Sequence, residues 1–173
     1  TLANLQGRLD DLQAIHGNIS GVTVADATSG PLVVTAAQLS ADVSILAKLS
    51  AANLFVTGVS ASQALSTATQ TFNAGNVRVG SLQVADTAAN LKAQLANLEN
   101  ASVVNKLSGI HLTDSATPTL TLRDADLAAA VPVLAKILAG DSYTLALDGN
   151  TLSVANLSAL IPFASHLAGT ASI

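Results

Sequence analysis

An internal repeat is the feature that most constrains how this chain can fold, because a missed period would mis-assign every element that follows. Residues 1–12 match residues 87–98 at an offset of 86 positions, and six of the twelve residues are identical. Residues 20–49 match residues 108–137 at an offset of 88, and eleven of the thirty are identical. The sequence therefore predicts two copies of about 88 residues, 1–86 and 87–173, the second more divergent towards its C-terminus.

A smaller unit recurs inside each copy: a β-branched run, a polar turn with Asp, Ser or Thr, and then an amphipathic helix. Alternation of apolar and polar residues predicts half-buried strands at residues 77–79, 82–84 and 143–147. The units run over residues 32–49, 54–72, 82–98, 120–138 and 143–167. The predicted helices bury stripes of apolar residues at helical spacing, namely Leu5, Leu9 and Leu12; Leu39, Val43 and Leu46; Leu91, Leu95 and Leu98; Leu127, Val131 and Leu134.

A strand, a turn and a helix that recur about every 25 to 30 residues are typical of α/β solenoids, in which each unit covers the apolar face of its neighbour. We predict a right-handed stack with a sheet on one side and six helices packed against it. A two-layer α/β sandwich is the alternative. Pro132 falls inside a helical pattern, so a kink or a broken first turn is expected there.

The predicted helix starts carry residues that can accept hydrogen bonds from the free amides of a first turn. These are Asp86 or Thr87 before Ala88, Ser60 before Ala61, and Asp124 before Ala125. Asp124 and Asp126 also place negative charge at a helix start, where it is favourable. Capping is therefore preferred to calcium binding for these two acids.

Composition excludes several classes of function. Half of the residues are hydrophobic but only 10% are charged, the net charge is −4, and the seven Lys and Arg residues are scattered singly. Nucleic acid is therefore not an expected partner, because there is no basic stripe to neutralise phosphates. No apolar run approaches the roughly 20 residues of a membrane-spanning helix, so no membrane span is predicted.

Cysteine and methionine are among the residue types that the sequence lacks. Without cysteine there is no disulfide, thiolate nucleophile or Cys-based metal site. Because the sequence lacks methionine and Thr1 falls inside a repeated motif, we expect the chain to be a piece or a processed product of a longer protein.

The three histidines, His16, His111 and His166, fall on different predicted elements: a helix end, a strand and a segment near the C-terminus. A metal or acid–base site needs ligands that converge. His111 aligns with Thr23 in the repeat, which favours an outward, solvated position. No G-x-S-x-G motif is present. The sequence therefore predicts no catalytic and no cofactor-binding residue.

Two pairs of acidic residues remain as candidates for chemistry. Asp10 and Asp11 point to different faces of a helix, because neighbouring residues do not share one. Asp26 and Asp114 are equivalent in the repeat and precede small polar turns, where a carboxylate can accept from amides two residues further on. The alternative is a row of carboxylates along one edge, with Asp26 and Asp114 as weak calcium candidates. Replacing Asp114 is expected to leave stability nearly unchanged.

Two segments of the sequence resemble a known group of proteins. Residues 84–91, VADTAANL, and residues 110–122, IHLTDSATPTLTL, resemble tandem Ala/Leu/Thr-rich repeat modules in large secreted or surface-exposed exoproteins of Gram-negative bacteria, including adhesins and haemolysin-like proteins. The resemblance covers nearly the whole chain and implies export and surface structure, with no residue-level function. The calcium-binding G-G-x-G-x-D nonapeptide is absent from this sequence, so a calcium association is not carried over.

These observations favour a non-enzymatic structural or adhesive segment of a secreted or cell-surface bacterial protein. The alternatives are a self-assembling fibre or surface-layer subunit, and a surface module that binds calcium, glycan or lipid. With one Tyr, three Phe and no Trp, the chain has few aromatic residues for stacking sugars. The expected partners are neighbouring repeats, further copies of the chain, and a cell surface or matrix.

Overall fold

Strands and short helices alternate along the chain in the computed structural model, which describes residues 1–26, 30–148 and 153–168. The α/β class predicted from the sequence is confirmed. The strands are β1 (Leu32–Thr35), β2 (Ala52–Val59), β3 (Thr71–Phe72), β4 (Val77–Asp86), β5 (Leu107–Leu112), β6 (Thr119–Arg123) and β7 (Thr144–Asp148). The α-helices are α1 (Leu2–Gln6), α2 (Leu9–Ala14), α3 (Ala36–Ala41), α4 (Val43–Leu46), α5 (Ala64–Thr69), α6 (Ala88–Ala93), α7 (Leu95–Leu98), α8 (Ala101–Val104), α9 (Leu127–Leu134) and α10 (Val154–Leu160).

The strands form a five-stranded mixed sheet and a separate pair. In the larger sheet the order is β1-β2-β4-β3, and β5 also pairs with β4; β6 pairs with β7. All of these pairings are parallel except β3 with β4. Partners in the parallel pairs lie 22 to 27 residues apart, from Leu32–Leu54 at the short end to Val22–Leu49 at the long end. Parallel strands need such crossovers, which the helices supply here.

Alternation in the sequence correctly predicted β4. Val77 and Val79 are buried and Arg78 is exposed, as the period of two requires. Val79 and Leu82 both face the core although they are three residues apart. The register explains this, because Leu54 pairs with Val79 whereas Phe55 pairs with Ser81, so Gly80 is an extra residue on this strand. Such a β-bulge restores the apolar face after the slip.

The helical layer is more broken than the six predicted helices. The segment between β1 and β2 is divided at Asp42, whose φ of −100° and ψ of 21° are not helical. This break makes the predicted stripe wrong at one position: Val43 is 44% exposed, while Leu39 and Leu46 are buried. The non-helical residue turns the chain, so Asp42 and Ile45 face inwards instead.

The corresponding segment of the second copy behaves differently. Helix α9 is not interrupted at Pro132, and the turn before it, Asp124–Asp126, is a 3-10 helix. Leu127 and Leu134 are buried as predicted, but Val131 is only half-buried. The carbonyl deprived of its donor by Pro132 belongs to Ala128, an exposed residue, which is why the proline is tolerated.

One set of backbone hydrogen bonds occurs in both segments that the repeat relates. In each segment one residue donates to the carbonyl of a lysine and accepts from the amide two residues beyond that lysine; Val22 forms an isolated bridge, and Ile110 belongs to β5. The bonds are Val22 N to Lys48 O (2.8 Å), Ser50 N to Val22 O (2.9 Å), Ile110 N to Lys136 O (2.7 Å) and Leu138 N to Ile110 O (2.9 Å). All three positions are displaced by 88 residues, as in the sequence alignment.

The core is a continuous cluster of Leu, Val, Ile and Ala side chains between the strands and the helices, with Tyr143 and Phe163 as its buried aromatic residues. Each fully buried aliphatic side chain stabilises the fold by about 1.5–3 kcal/mol relative to an exposed one. Small, similar side chains let successive strands and helices pack at one spacing. Charged groups therefore concentrate at the strand and helix ends.

Candidate functional site

Three aspartate carboxylates make the same kind of contact: Asp86 ends β4, Asp114 lies two residues after β5, and Asp26 lies in a turn after the isolated bridge residue Val22. Asp26, Asp86 and Asp114 each accept a hydrogen bond from the first amides of a helical segment that precedes them in the chain. The bonds are Leu2 N to Asp26 Oδ1 (2.7 Å), Ala61 N to Asp86 Oδ2 (2.9 Å) and Ala88 N to Asp114 Oδ2 (2.8 Å). These carboxylates therefore cap helices from a segment that comes later in the chain, and negative charge there also complements the helix dipole.

Asp86 accepts more hydrogen bonds than Asp26 or Asp114. Besides Ala61 N it accepts from Thr87 N at 2.8 Å and from Asn90 Nδ2 at 2.7 Å. Burial alone would raise the pKa of Asp86, but the hydrogen bonds from Asn90, Ala61 and Thr87 outweigh burial and lower the pKa below its ordinary value. Asp86 is thus held as a carboxylate. The N-cap of α6 is the alternative candidate, Thr87.

The two calcium candidates, Asp26 and Asp114, are therefore parts of helix caps. The hydrogen-bond partner predicted for the Asp114 carboxylate is wrong, because the carboxylate accepts from Ala88 N, 26 residues earlier. Residues 27–29 of the turn after Asp26 lie outside the described residues. Across residues 1–26, 30–148 and 153–168, no group of three or more His, Cys, Asp or Glu side chains is placed to hold a metal ion.

Lysines perform the complementary role at helix ends. Lys48 Nζ donates to the carbonyls of His16 and Ile19, and Lys106 Nζ donates to the carbonyl of Ala68 in the last turn of α5. A cation at this end of a helix satisfies carbonyls that have no partner inside it. Both lysines occupy the position just before a paired strand residue, Leu49 or Leu107.

Two capping predictions are corrected by longer-range contacts. Ser60 makes no side-chain cap to the turn that follows it, and the first amide of that turn, Ala61 N, donates to Asp86. Asp124 accepts from the amide and hydroxyl of Ser153, at 3.2 and 3.3 Å, so it serves the start of α10 and not its own helix. The Asn156 side chain and Ser153 hold the pKa of Asp124 below its ordinary value, against a smaller effect of burial. Asp126 is the N-cap residue of α9 but makes no side-chain cap.

Asp10 and Asp11 diverge as predicted. Asp11 forms an exposed ion pair with Arg8 at 3.1 Å, whereas Asp10 Oδ1 accepts from Gln38 Nε2 at 3.2 Å. An exposed pair of this kind contributes little to stability. Asp10, in contrast, joins helix α2 to the first turn of α3.

The three histidines occupy different surroundings. His16 is half-buried, with Nδ1 2.7 Å from the carbonyl oxygen of Gln13. The exposed strand position predicted for His111 is confirmed, but the sequence did not reveal its partner, Asp141, whose Oδ1 lies 2.9 Å from Nδ1. His166 stacks on Tyr143 with ring centroids 4.1 Å apart.

Asp141, Tyr143 and His166 line one cleft of about 360 Å³, whose other walls are apolar. Asp141 Oδ2 also accepts from Leu112 N at 2.9 Å, so both of its oxygens are used. Burial raises the pKa of the Tyr143 hydroxyl, which is therefore a neutral group at physiological pH. The polar side chains that line the cleft are therefore a phenol, an imidazole and a carboxylate, beside apolar walls.

A second cleft, of about 380 Å³, separates α6 and α7 from β6 and α9. Its charged lining residues are Lys92, Glu99, Arg123, Asp126 and Asp148. Burial, and then the negative charge of Asp126, raise the pKa of Glu99. Sequence reasoning missed this cluster, because its members come from three separate units of the chain.

No protein-family model matches the chain, and no curated protein or solved structure is significantly similar to it. Within the described ranges, no helix has both the length and the apolar character needed to cross a bilayer, and the longest α-helix, α9, has eight residues.

Proposed function

We propose that this chain is a non-enzymatic structural or adhesive segment of a large secreted or cell-surface bacterial protein. Its finer architecture in this proposal is an α/β solenoid of two copies of about 88 residues. The single observation that carries the proposal is the recurrence, 88 residues apart, of the hydrogen bonds that join Val22 and Ile110 to their lysine-bearing neighbours.

The carboxylates of Asp26, Asp86 and Asp114 support the same architecture. Each of them reaches back 24 to 26 residues to the start of a preceding helical segment. Two lysines reach back in the same direction to the ends of helical segments. Each unit thus completes the helix before it, as expected when neighbouring units stack and stability comes from the contacts between them.

A stack of this kind suits a spacer or a surface that presents other groups, because further units can be added to it without any new binding site. A catalytic role would require an acid, base or nucleophile that converges with others and is free to react. Asp26, Asp86, Asp114 and Asp141 all accept backbone amides, so these carboxylates serve the fold. Export and exposure at the cell surface are the part of the proposal that rests on the resemblance of the repeat wording.

The expected partners are neighbouring units, further copies of the chain, and a cell surface or matrix. Nucleic acid is not expected, because Lys48 and Lys106 are occupied by carbonyls and the remaining basic residues are dispersed. Because the surface of the chain is nearly neutral, its attachment to a partner would instead rely on the Ser, Thr and Asn side chains of the exposed strand faces.

The location is tested with antibodies raised against the chain and applied to intact cells of the source bacterium. Labelling of intact cells, removed by mild protease treatment, is the expected result. Labelling that appears only after the cells are broken would contradict the proposal. The architecture is tested separately by an experimental structure, in which residues 20–49 must superpose on residues 108–137.

A second candidate function, end-to-end self-assembly, is favoured by the exposed apolar side chains of the C-terminal unit. Leu157, Ile161 and Leu167 are 39%, 71% and 36% exposed. Leu167 pairs with Leu145 as Val79 pairs with Leu54, yet Val79 is fully buried by its neighbours. In this candidate function the C-terminal face receives the first unit of a second copy of the chain, by a heterologous contact that need not close.

Light scattering at increasing protein concentration distinguishes this second function. We expect the mass to rise with concentration in the wild type and to stay monomeric in Ile161→Asp. Ala89→Asp adds the same charge at an exposed apolar residue of the central unit 82–98, away from both docking faces, and is the control that should still associate. A strictly monomeric wild type at high concentration would eliminate self-assembly without affecting the structural proposal.

A further inference from the structure

Asp42 is the most deeply buried acidic residue of the described part of the chain, with only 2% of its surface exposed. It lies between α3 and α4, and its carbonyl accepts from the amides of Ile45 and Leu46. Its side-chain atom Oδ2 has no hydrogen-bond partner among the described residues. A buried carboxylate needs donors for its oxygens, whereas a protonated carboxyl group is itself a donor and needs an acceptor.

The carboxylate of Asp10 is the nearby group that can accept a hydrogen bond from a protonated Asp42. Gln38 Nε2 holds Asp10 Oδ1 at 3.2 Å, and Gln38 is one turn before Asp42 in the same helical segment, with Asp42 N bonded to Gln38 O at 2.8 Å. Helix α2 therefore brings a second carboxyl group to the end of α3. Burial first, and then the hydrogen bond and the charge of Asp10, raise the pKa of Asp42.

We propose that the buried Asp42 carries a proton that it donates to Asp10, and that this hydrogen bond fixes α2 against α3 and α4 until rising pH removes it. In the protonated state the Asp42 hydroxyl donates to the Asp10 carboxylate, which leaves no orphan acceptor. When the proton leaves, the buried charge of Asp42 faces the like charge of Asp10, which is itself exposed to solvent. Helix α2 then loses one of its attachments to the rest of the fold.

The other charged groups nearby do not neutralise this pair. Strands β1 and β2 and helices α3 and α4 carry no titratable side chain. On α2 and its flanks, Arg8 is paired with Asp11 at the surface, and His16 bonds Gln13 O. Lys48, after α4, donates to two backbone carbonyls. None of these contacts supplies a counterion to Asp42.

The sign of the pH dependence follows from the direction of the pKa change. A carboxyl group whose folded pKa is raised contributes stability that is complete below the unfolded pKa and is lost as pH rises through the folded pKa. The window therefore opens near the ordinary aspartate value of about 3.9 and extends upward. The second copy has Ala130, also fully buried, at the equivalent position, so it lacks the pair.

The device is tested on the whole chain with Asp42→Asn, which keeps the shape and a donor but cannot ionise. Asp42→Ala reproduces the residue that the second copy carries. Asp11→Asn is the matched control, because it removes the adjacent surface acid of the same helix. Denaturant midpoints are measured from about pH 4 to about pH 9, together with the carbon-13 titration of the Asp42 carboxyl group in the wild type.

We expect the wild type and Asp11→Asn to lose stability as pH rises, and Asp42→Asn to show no such loss. Amide exchange of α2, corrected for its intrinsic pH dependence, should accelerate about tenfold for each pH unit within the window in the wild type. Parallel pH profiles for Asp42→Asn and wild type would overturn the proposal. So would titration of Asp42 at the ordinary aspartate value, a measurement that requires no variant to fold.

Discussion

Removal of the Asp86 carboxylate tests whether units are joined by caps supplied from a neighbouring strand. Asp86 accepts from Ala61 N, Thr87 N and Asn90 Nδ2 at 2.7 to 2.9 Å. A hydrogen bond to a charged group contributes about 1.5–3 kcal/mol, but these bonds are not additive and Asp86 is half-buried, so solvent replaces part of each. We therefore expect Asp86→Ala to lower the free energy of unfolding by about 2–3 kcal/mol.

Asp114→Ala is the graded comparison, because Asp114 accepts one such bond, from Ala88 N. Its expected loss is about 1 kcal/mol, the usual value for a helix N-cap. This replaces the sequence-based expectation that Asp114 contributes almost nothing. The assay is denaturant unfolding followed by circular dichroism at neutral pH. Losses below about 0.5 kcal/mol for Asp86→Ala, or equal losses for both variants, would refute the capping role.

Repeating the unfolding measurement at different pH values gives a second test. The pH dependence of stability that we expect from Asp86 is opposite in sign to the one that we expect from Asp42. The folded pKa of Asp86 is lowered, so its contribution is complete above the unfolded pKa and is lost as pH falls through the folded pKa. The stabilities of wild type and Asp86→Ala should therefore converge below about pH 4. A difference that persists undiminished in acid would show that Asp86 acts through packing and not through its charge.

Three further outcomes are expected. Leu46→Ala, at a fully buried site, should lower stability by about 2–5 kcal/mol, whereas Val43→Ala, at a 44% exposed site, should change it by less than about 0.5 kcal/mol; equal effects would contradict the observed break of the helix. Lys106→Met should cost about 1 kcal/mol through loss of the bond to Ala68 O, measured by thermal unfolding, while an unchanged midpoint would argue against that cap. Millimolar calcium should leave the melting temperature unchanged, because the two candidate carboxylates already accept helix amides; a clear rise would reinstate them as ligands.

Most strands and the units they begin could be predicted from the sequence. Alternation around Arg78 placed β4, and the unit from Tyr143 contains β7 and α10 as expected. These predictions succeed because alternation and helical spacing record burial along a few consecutive residues. The stripe failed at Val43, because one non-helical residue, Asp42, changes which side chains face the core.

The candidate site was less accessible to sequence reasoning. Ser60 and Asp124 are suitable cap residues for the helical turns beside them, yet Asp86 caps the first turn and Asp124 serves a different helix. The one available signal was the recurrence of Asp after strand residues in the repeat, which identified Asp26 and Asp114 as equivalent. That signal gave the positions but not their partners.

The sequence by itself determined the alternation of strands and helices, the 88-residue offset and the small aliphatic core, because each is written in the spacing of neighbouring side chains. The tertiary structure decided which polar groups meet. Asp86 reaches Ala61 across 25 residues of chain, and Asp10 reaches Gln38, one turn before Asp42, across 28. Such contacts depend on how far each parallel crossover carries the chain, and no local pattern of residues specifies that distance.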